Sequence, residues 1–422
     1  MTQRIAINQI IEAAPARVVV SRDTTGTVAE ATFDLTGLPR VDALLTGRQV
    51  IEVPRLVERL CGICPSAHHL AGIRALEALA GVGELPVSAT TIRRLLHYAA
   101  VIAIHLVGMI ATDRDEALEL RRLAKLAMAV AGSPGHFPAT AIIGGVAIEV
   151  DPETRDRCLE LIPGALAAAE RVVKRTLDMP IPPEGYNGAD LALIDEAGNL
   201  DLFGHILRVV STDGRPIIAA ARASDWDSLI AEAVPGSPSP RPYLKALGAQ
   251  AGTYRVGPVA QLRVGILTTP RAAAHQQAWR DRSGGATSAR AIITLHGVEV
   301  IEALLNAPEL TSGPSAVPWS GELPAGIGVG WVDGARGLLV HRYEIGEDGR
   351  VRAATILTPT AQNEPWLGDL LTTAATEVDQ GRRRAQLEEA IHEADPCLPC
   401  SAAPAGAMDL VVDMVDQGKG GL

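Results

Sequence analysis

A chain of 422 residues that is 47% hydrophobic but only 3% aromatic can build a deep core from Ala, Leu, Val and Ile, a composition that favours closely packed helices. Its formal net charge of -11, with no basic run longer than Arg382-Arg383-Arg384, argues against a nucleic-acid binder and against an anionic-membrane patch. Five cysteines suit no disulfide framework in a chain this long, so metal binding or redox chemistry is their expected use.

The first dozen residues contain no long apolar core, so no signal peptide is expected. Residues 15–35 alternate apolar and polar and predict a hairpin turning near residues 23–26. Residues 1–52 as a whole make an N-terminal β segment. From residue 53 to about 130 the period is helical: Leu70, Ile73, Leu76 and Leu79 form one stripe, and Leu95, Ala99, Ile102 and Leu106 a second. Residues 99–111, the most apolar stretch, include His105 and are too short to span a bilayer, which predicts a buried helix. Pro134 and Gly144-Gly145 mark loops, and helix returns over 155–177, closing a helical unit at 53–177.

Residues 178–260 are broken by Pro180, Pro182, Pro183, Pro235, Pro238, Pro240 and Pro242, with short β-like runs such as 207–211 between them, which predicts an irregular peripheral region with a surface loop at 236–242. A core of helix and strand is expected over 261–403: a long helix at 287–305, strands at 337–343 and 351–357, and helices at 364–380 and 382–392. The tail 404–422 predicts a short amphipathic helix around 408–415. The fold class is α+β and mainly helical, a central long-helix bundle with β segments near both ends. A soluble cytoplasmic protein with no membrane span is the expectation.

Two segments carry chemistry. In Arg59-Leu60-Cys61-Gly62-Ile63-Cys64-Pro65-Ser66-Ala67-His68, two sulfurs are spaced to share one metal. Gly62 permits the tight turn, and Pro65 suits the first turn of a helix whose positive end favours thiolates. His68, four residues after Cys64, falls on the same helix face. In Asp395-Pro396-Cys397-Leu398-Pro399-Cys400, two prolines stiffen a second pair. One such pair reads as well as a redox motif or half a zinc site. Two distant pairs predict a four-thiolate site at Cys61, Cys64, Cys397 and Cys400, with structural zinc the alternative on spacing alone.

The neighbouring residues resemble those of the large subunit of nickel–iron hydrogenases, most of all the soluble cofactor-reducing group. Gly328-Val329-Gly330-Trp331-Val332-Asp333-Gly334-Ala335-Arg336-Gly337 is similar to that family's Gly-rich, acidic, Arg-Gly segment. Thr358-Pro359-Thr360 is similar to its late turn, and His136-x-Pro138 with Gly144-Gly145 also fits. The resemblance implies the family's large-subunit fold, and a site of nickel and of iron carrying cyanide and carbon monoxide, at which dihydrogen is cleaved reversibly and heterolytically. It implies that Cys61 and Cys397 bind nickel alone and that Cys64 and Cys400 bridge the metals. His68 would bond the Cys400 sulfur, Arg336 and Thr360 would contact the cyanides, and Asp395 would orient Arg336. Cys397 would take the proton and Glu12 receive it. It also implies an iron–sulfur small subunit near residues 61–79, since Cys158 alone cannot hold a cluster, and a diaphorase-type or other electron-carrier module.

Three features depart from the family. Ala403 stands where a His or Arg usually marks the site of C-terminal processing, so the tail 404–422 is expected to escape the usual removal. That His also helps bind magnesium; here Asp42 is the remaining candidate ligand for such a hard cation. Glu12-Ala13-Ala14-Pro15 replaces the usual Glu-Gly pattern. Alternatives within the resemblance are a hydrogen sensor with slow turnover and a degenerate structural relative, against which the four cysteines argue.

Overall fold

The computed structural model describes residues 16–35, 42–59, 61–319, 321–398, 401, 403 and 406–416. Its frame is the expected α+β mixture built on long helices. The N-terminal hairpin forms as β1 (Ala16–Arg22) and β2 (Val28–Phe33). The long helices are α1 (Pro65–Ala80), α2 (Val87–Met109), α3 (Arg114–Val130), α4 (Pro152–Thr176) and, much later, the helix Ala286–Asn306. The last packs on α2 and α4, and α3 closes the ring between those two, so the four form the central bundle. Helix α2 is long and apolar enough to cross a membrane by length and composition, yet 78% of its most apolar window is buried inside the fold. It is the core helix that residues 99–111 predict.

The segment 178–260 is more regular than expected: the β-like run at 207–211 is a strand, Ile206–Val210, but it belongs to an ordered sheet. The segment holds a sheet of four strands, β3 (Ala189–Ile194), β4 (Ile206–Val210), β5 (Pro216–Ala221) and β6 (Tyr254–Arg255), in the order β6-β3-β4-β5. Every residue of β3 is buried: Leu191 and Leu193 face one apolar cluster, and Ala192 and Ile194 face the main core. A strand buried on both faces loses the alternation by which strands are read. Its prolines sit in connections or, like Pro216, at the first residue of a strand, where the missing N–H is harmless.

After the short helix α5 (Pro258–Val264) and the bundle helix, here α6 (Ala286–Asn306), comes an antiparallel meander: β7 (Gly326–Gly334), β8 (Gly337–Ile345) and β9 (Val351–Leu357). The glycine-rich segment is therefore a strand, and its glycines have a packing role. Helix α1 lies directly on β7; a Cβ on Gly328 would sit 2.1 Å from the Ala75 carbonyl, and one on Gly330 would sit 2.4 Å from that of Ala71. Helices α7 (Glu364–Ala375) and α8 (Gln380–Ala394) come next.

The tail is a strand, which corrects the amphipathic helix. β10 (Leu410–Asp416) runs parallel to β1, from Ala16↔Leu410 to Arg22↔Asp416. The segment Leu410-Val411-Val412-Asp413-Met414-Val415 is rich in β-branched residues, and β1 offers it a hydrogen-bonding edge, which decides the outcome over helical period.

Candidate metal centre

The first cysteine pair sits where the chain turns into α1. Cys64 is the N-cap residue and Pro65 opens the helix. The turn brings the N–H groups of Ile63 and Cys64 to 3.4 and 3.3 Å from the Cys61 sulfur. One turn further on, buried His68 joins them, and its ring lies with both sulfurs in a cluster whose ligand atoms are all within 4.8 Å of one another.

The second motif reaches this point from the far end of the chain. Asp395 ends α8 in the left-handed conformation, φ +46°, which turns the chain out of the helix. Cys397 lies just beyond, with its N–H donating to Thr360 Oγ1 at 2.8 Å. Thr360 stands in the one-turn helix Pro359–Gln362, capped by Thr358. The Cys397 sulfur comes to 3.5 Å from that of Cys61, although the two are 336 positions apart.

Arg336 begins the return from β7 to β8 and reaches over the sulfurs. Its Nε donates to the Asp395 carbonyl and its Nη2 to the Asp395 carboxylate, each at 3.1 Å, and Nη1 lies 3.8 Å from the Cys397 sulfur. The expected orientation of Arg336 by Asp395 is thus present as geometry. These groups line a cavity of about 220 Å³ whose other walls, Val101, Ile104, Leu339 and Ile356 among them, are apolar.

Charge is unevenly shared among the sulfurs. Cys397 and Cys64 bond to Cys61 and hold it well below the usual thiol range. Against Cys397 and Cys61, Cys64 is pushed well up; against Cys61, Cys397 is pushed up to about 12. Burial pushes His68 down to about 4, with the Cys61 thiolate opposing. Burial would also discharge Arg336, but Asp395 and Cys397 outweigh it. Crowded soft sulfurs in a largely apolar pocket under a fixed cation are a donor set suited to a soft or borderline metal.

Of the other expected residues, Glu12 and Cys400 lie outside the described residues. Asp42 opens a short 3-10 turn, Asp42–Leu44, and its side chain too lies outside them. Cys158 is fully buried in α4 and raised by burial to about 12, a core thiol. The Ala403 carbonyl meets His392 Nε2 at 2.9 Å, so protein hydrogen bonding closes that corner. Sequence reasoning missed four buried polar residues around the site: His97, His105, Gln261 and His341. His341 Nε2 lies 3.0 Å from His68 Nδ1, and Tyr343 lies on its other side at 2.5 Å. The only available signal was polar residues on otherwise apolar faces, which reads equally well as satisfied core packing.

Residues 40–113 match the family model described as nickel-dependent hydrogenase. Over 95% of its length the chain is 28% identical to the NAD-reducing hydrogenase HoxS subunit beta of Cupriavidus necator, covering 94% of it. It is 30% identical to a subunit of the vhu F420-non-reducing hydrogenase of Methanococcus voltae, over 85% of this chain and 94% of that one. Among solved structures, an NAD+-reducing [NiFe]-hydrogenase in the H2-reduced state superposes with a TM-score of 0.80 at 29% identity, over 90% of this chain and 95% of that one. A [NiFeSe] hydrogenase variant of Desulfovibrio vulgaris Hildenborough shares the fold at a TM-score of 0.68, over 89% of this chain and 94% of the other.

Proposed function

Since this chain belongs to the nickel-dependent hydrogenase family as its large, catalytic component, an oxidoreductase acting on hydrogen, we propose that Cys61, Cys64, Cys397 and Cys400 together hold its nickel–iron centre. The observation that carries this is the meeting of Cys61 and Cys397 under Arg336. Bound there, the metal pair with its carbon monoxide and cyanide ligands supplies the Lewis-acid chemistry that splits dihydrogen heterolytically.

The chain supplies the rest. Cys397 takes the proton at its sulfur, which lies 3.8 Å from Nη1 of Arg336. Glu12 accepts it next. Arg336 would present fixed donors to cyanide ligands of the bound centre, Thr360 steadies Cys397 through its backbone N–H and would offer its hydroxyl to the same ligands, and His68 would tune the thiolates from α1. The apolar walls keep bulk water from the site, which strengthens each of these bonds. Electrons leave to an iron–sulfur small subunit. The NAD-reducing relative favours a cytoplasmic complex with a diaphorase-type module beyond it.

The test is metal analysis with infrared spectroscopy on the anaerobically purified complex. Nickel, iron in excess of it by the content of the partner's clusters, carbon monoxide and cyanide bands, and hydrogen-dependent reduction of an artificial acceptor are expected. Zinc in place of nickel, with no carbon monoxide or cyanide bands, would overturn the reading. Cys61→Ser and Cys397→Ser should each lose nickel, which metal analysis reads directly.

A further inference from the structure

The turn that delivers Arg336 is gripped at three successive backbone carbonyls. The Asp333 carbonyl accepts from His97 Nε2 at 2.9 Å, the Gly334 carbonyl from Gln261 Nε2 at 3.0 Å, and the Ala335 carbonyl from His105 Nε2 at 2.9 Å. His97 and His105 are two turns apart on α2, and Gln261 is on α5. Gln261 also donates to Asp333 Oδ1 at 2.7 Å, and Asp333 Oδ2 accepts the Leu193 N–H at 3.1 Å. All three donors are buried to within 3%.

We propose that His97, His105 and Gln261 are positioning residues that set where the Arg336 guanidinium stands over the metal centre. The inference rests on the function proposed above. Strands β7 and β8 pair up to Gly334↔Gly337, so only Ala335 and Arg336 form the connection. A two-residue connection has little freedom once its carbonyls are fixed, and Arg336 is the residue immediately after the last of them. The head of the same side chain is tied to Asp395, so Arg336 is held at both ends.

The tautomers are set by the geometry. A ring nitrogen facing a carbonyl must carry the proton, so both histidines hold it on Nε2. Nδ1 of His105 then accepts from Thr294 Oγ1 on α6, 3.0 Å away, which fixes that ring from its far side. Nδ1 of His97 has no partner. Two histidines and a glutamine on the inner faces of apolar helices incur a burial cost. They converge on one three-residue turn, and that turn presents the arginine over the sulfurs.

The whole complex carrying His105→Leu, His105→Gln or His97→Leu provides the test, read by metal content, infrared bands and hydrogen oxidation. The Gln amide nitrogen reaches where Nε2 stands, so His105→Gln retains the bond to Ala335. His105→Leu should load nickel and iron normally, displace the cyanide bands and lose about 100-fold in turnover, the scale expected for a misplacement near 1 Å. His105→Gln should return the bands and most of the turnover. Cyanide bands unmoved in a metal-loaded His105→Leu protein would overturn the inference. If that variant does not fold, His97→Leu, which keeps the bonds of His105, carries the same expectation. Failure of both to fold would replace positioning by plain structural support. Wild-type complex with no such bands would sink the functional reading first, and this inference with it.

Discussion

Asp395 joins two demands that usually conflict. Its left-handed backbone, φ +46°, is costly for most side chains, and Asp and Asn tolerate it best. Its carboxylate and carbonyl both serve Arg336, and Arg290 Nε stands 3.9 Å from the same carboxylate while its Nη2 holds the His392 and Glu393 carbonyls. The two replacements therefore differ. Asp395→Asn keeps the backbone and an acceptor but loses charge assistance, so the fold should hold while the cyanide bands shift and turnover falls. Asp395→Ala loses the acceptor, strains the turn and leaves the nearly buried Arg336 uncompensated, for about 3 kcal/mol of destabilisation. Thermal denaturation beside infrared spectra separates them; equal melting points for the two variants would refute the account.

At the scale of elements, the tail shows what the sequence conceals. β10 is built into the protein. Arg384 clamps the Leu410 and Met408 carbonyls, both at 2.8 Å, Glu388 accepts the Gly406 N–H at 2.7 Å, and Met408 and Leu410 are 2% and 5% exposed. Truncation before residue 406 would strip the edge of β1 and remove the buried Met408 and Leu410 side chains from the core, worth roughly 3–6 kcal/mol. Intact-mass analysis should find the tail in the purified protein, and the truncated form should melt well below it; a mass ending near residue 403 would defeat this. The strand was not legible because its partner β1 is nearly the whole chain away, and periodicity carries no information about such a partner. The same holds for β3, buried on both faces. Helices α4, α6 and α8 were legible to within a few residues because each keeps an apolar stripe, whereas over 53–130 the period showed helix but not the breaks between α1, α2 and α3, and the helix expected to reach residue 380 stops at Ala375. Spacing alone marked the cysteine pairs as metal ligands but left zinc open; the residues around them pointed to nickel and iron, and Cys61 and Cys397 do meet, 3.5 Å apart. The histidines that grip the Arg336 turn were not, because a lone histidine on an apolar stripe does not say which carbonyl it serves.

Across the whole molecule, the polar groups buried between the helices make stability depend on pH. Burial lowers His97, His105 and His296 from the ordinary 6.5 to about 4. As pH falls through 6.5 the unfolded chain takes up protons that the folded chain refuses until about 4, so stability is lost over that window and is full above it. Burial raises Asp333 to about 7 and also raises Glu393. Those groups hold a proton that the unfolded chain sheds, so they act in the opposite sense, favouring the fold as pH falls, Asp333 from about 7. His68 and His205 are lowered to about 4 as well, so the lowered histidines outnumber the raised carboxyls and unfolding takes up protons on balance between 6.5 and 4. The melting temperature should therefore be flat near neutrality and decline below pH 6.5. His296 isolates the effect, since its Nδ1 contacts Thr269 Oγ1 at 2.9 Å and its Nε2 has no partner. His296→Asn keeps a polar atom for Thr269 and removes the titration, so its acid decline should be shallower. A decline parallel to that of the unaltered protein between pH 7 and 5 would show that the bundle's buried histidines do not set the acid limit.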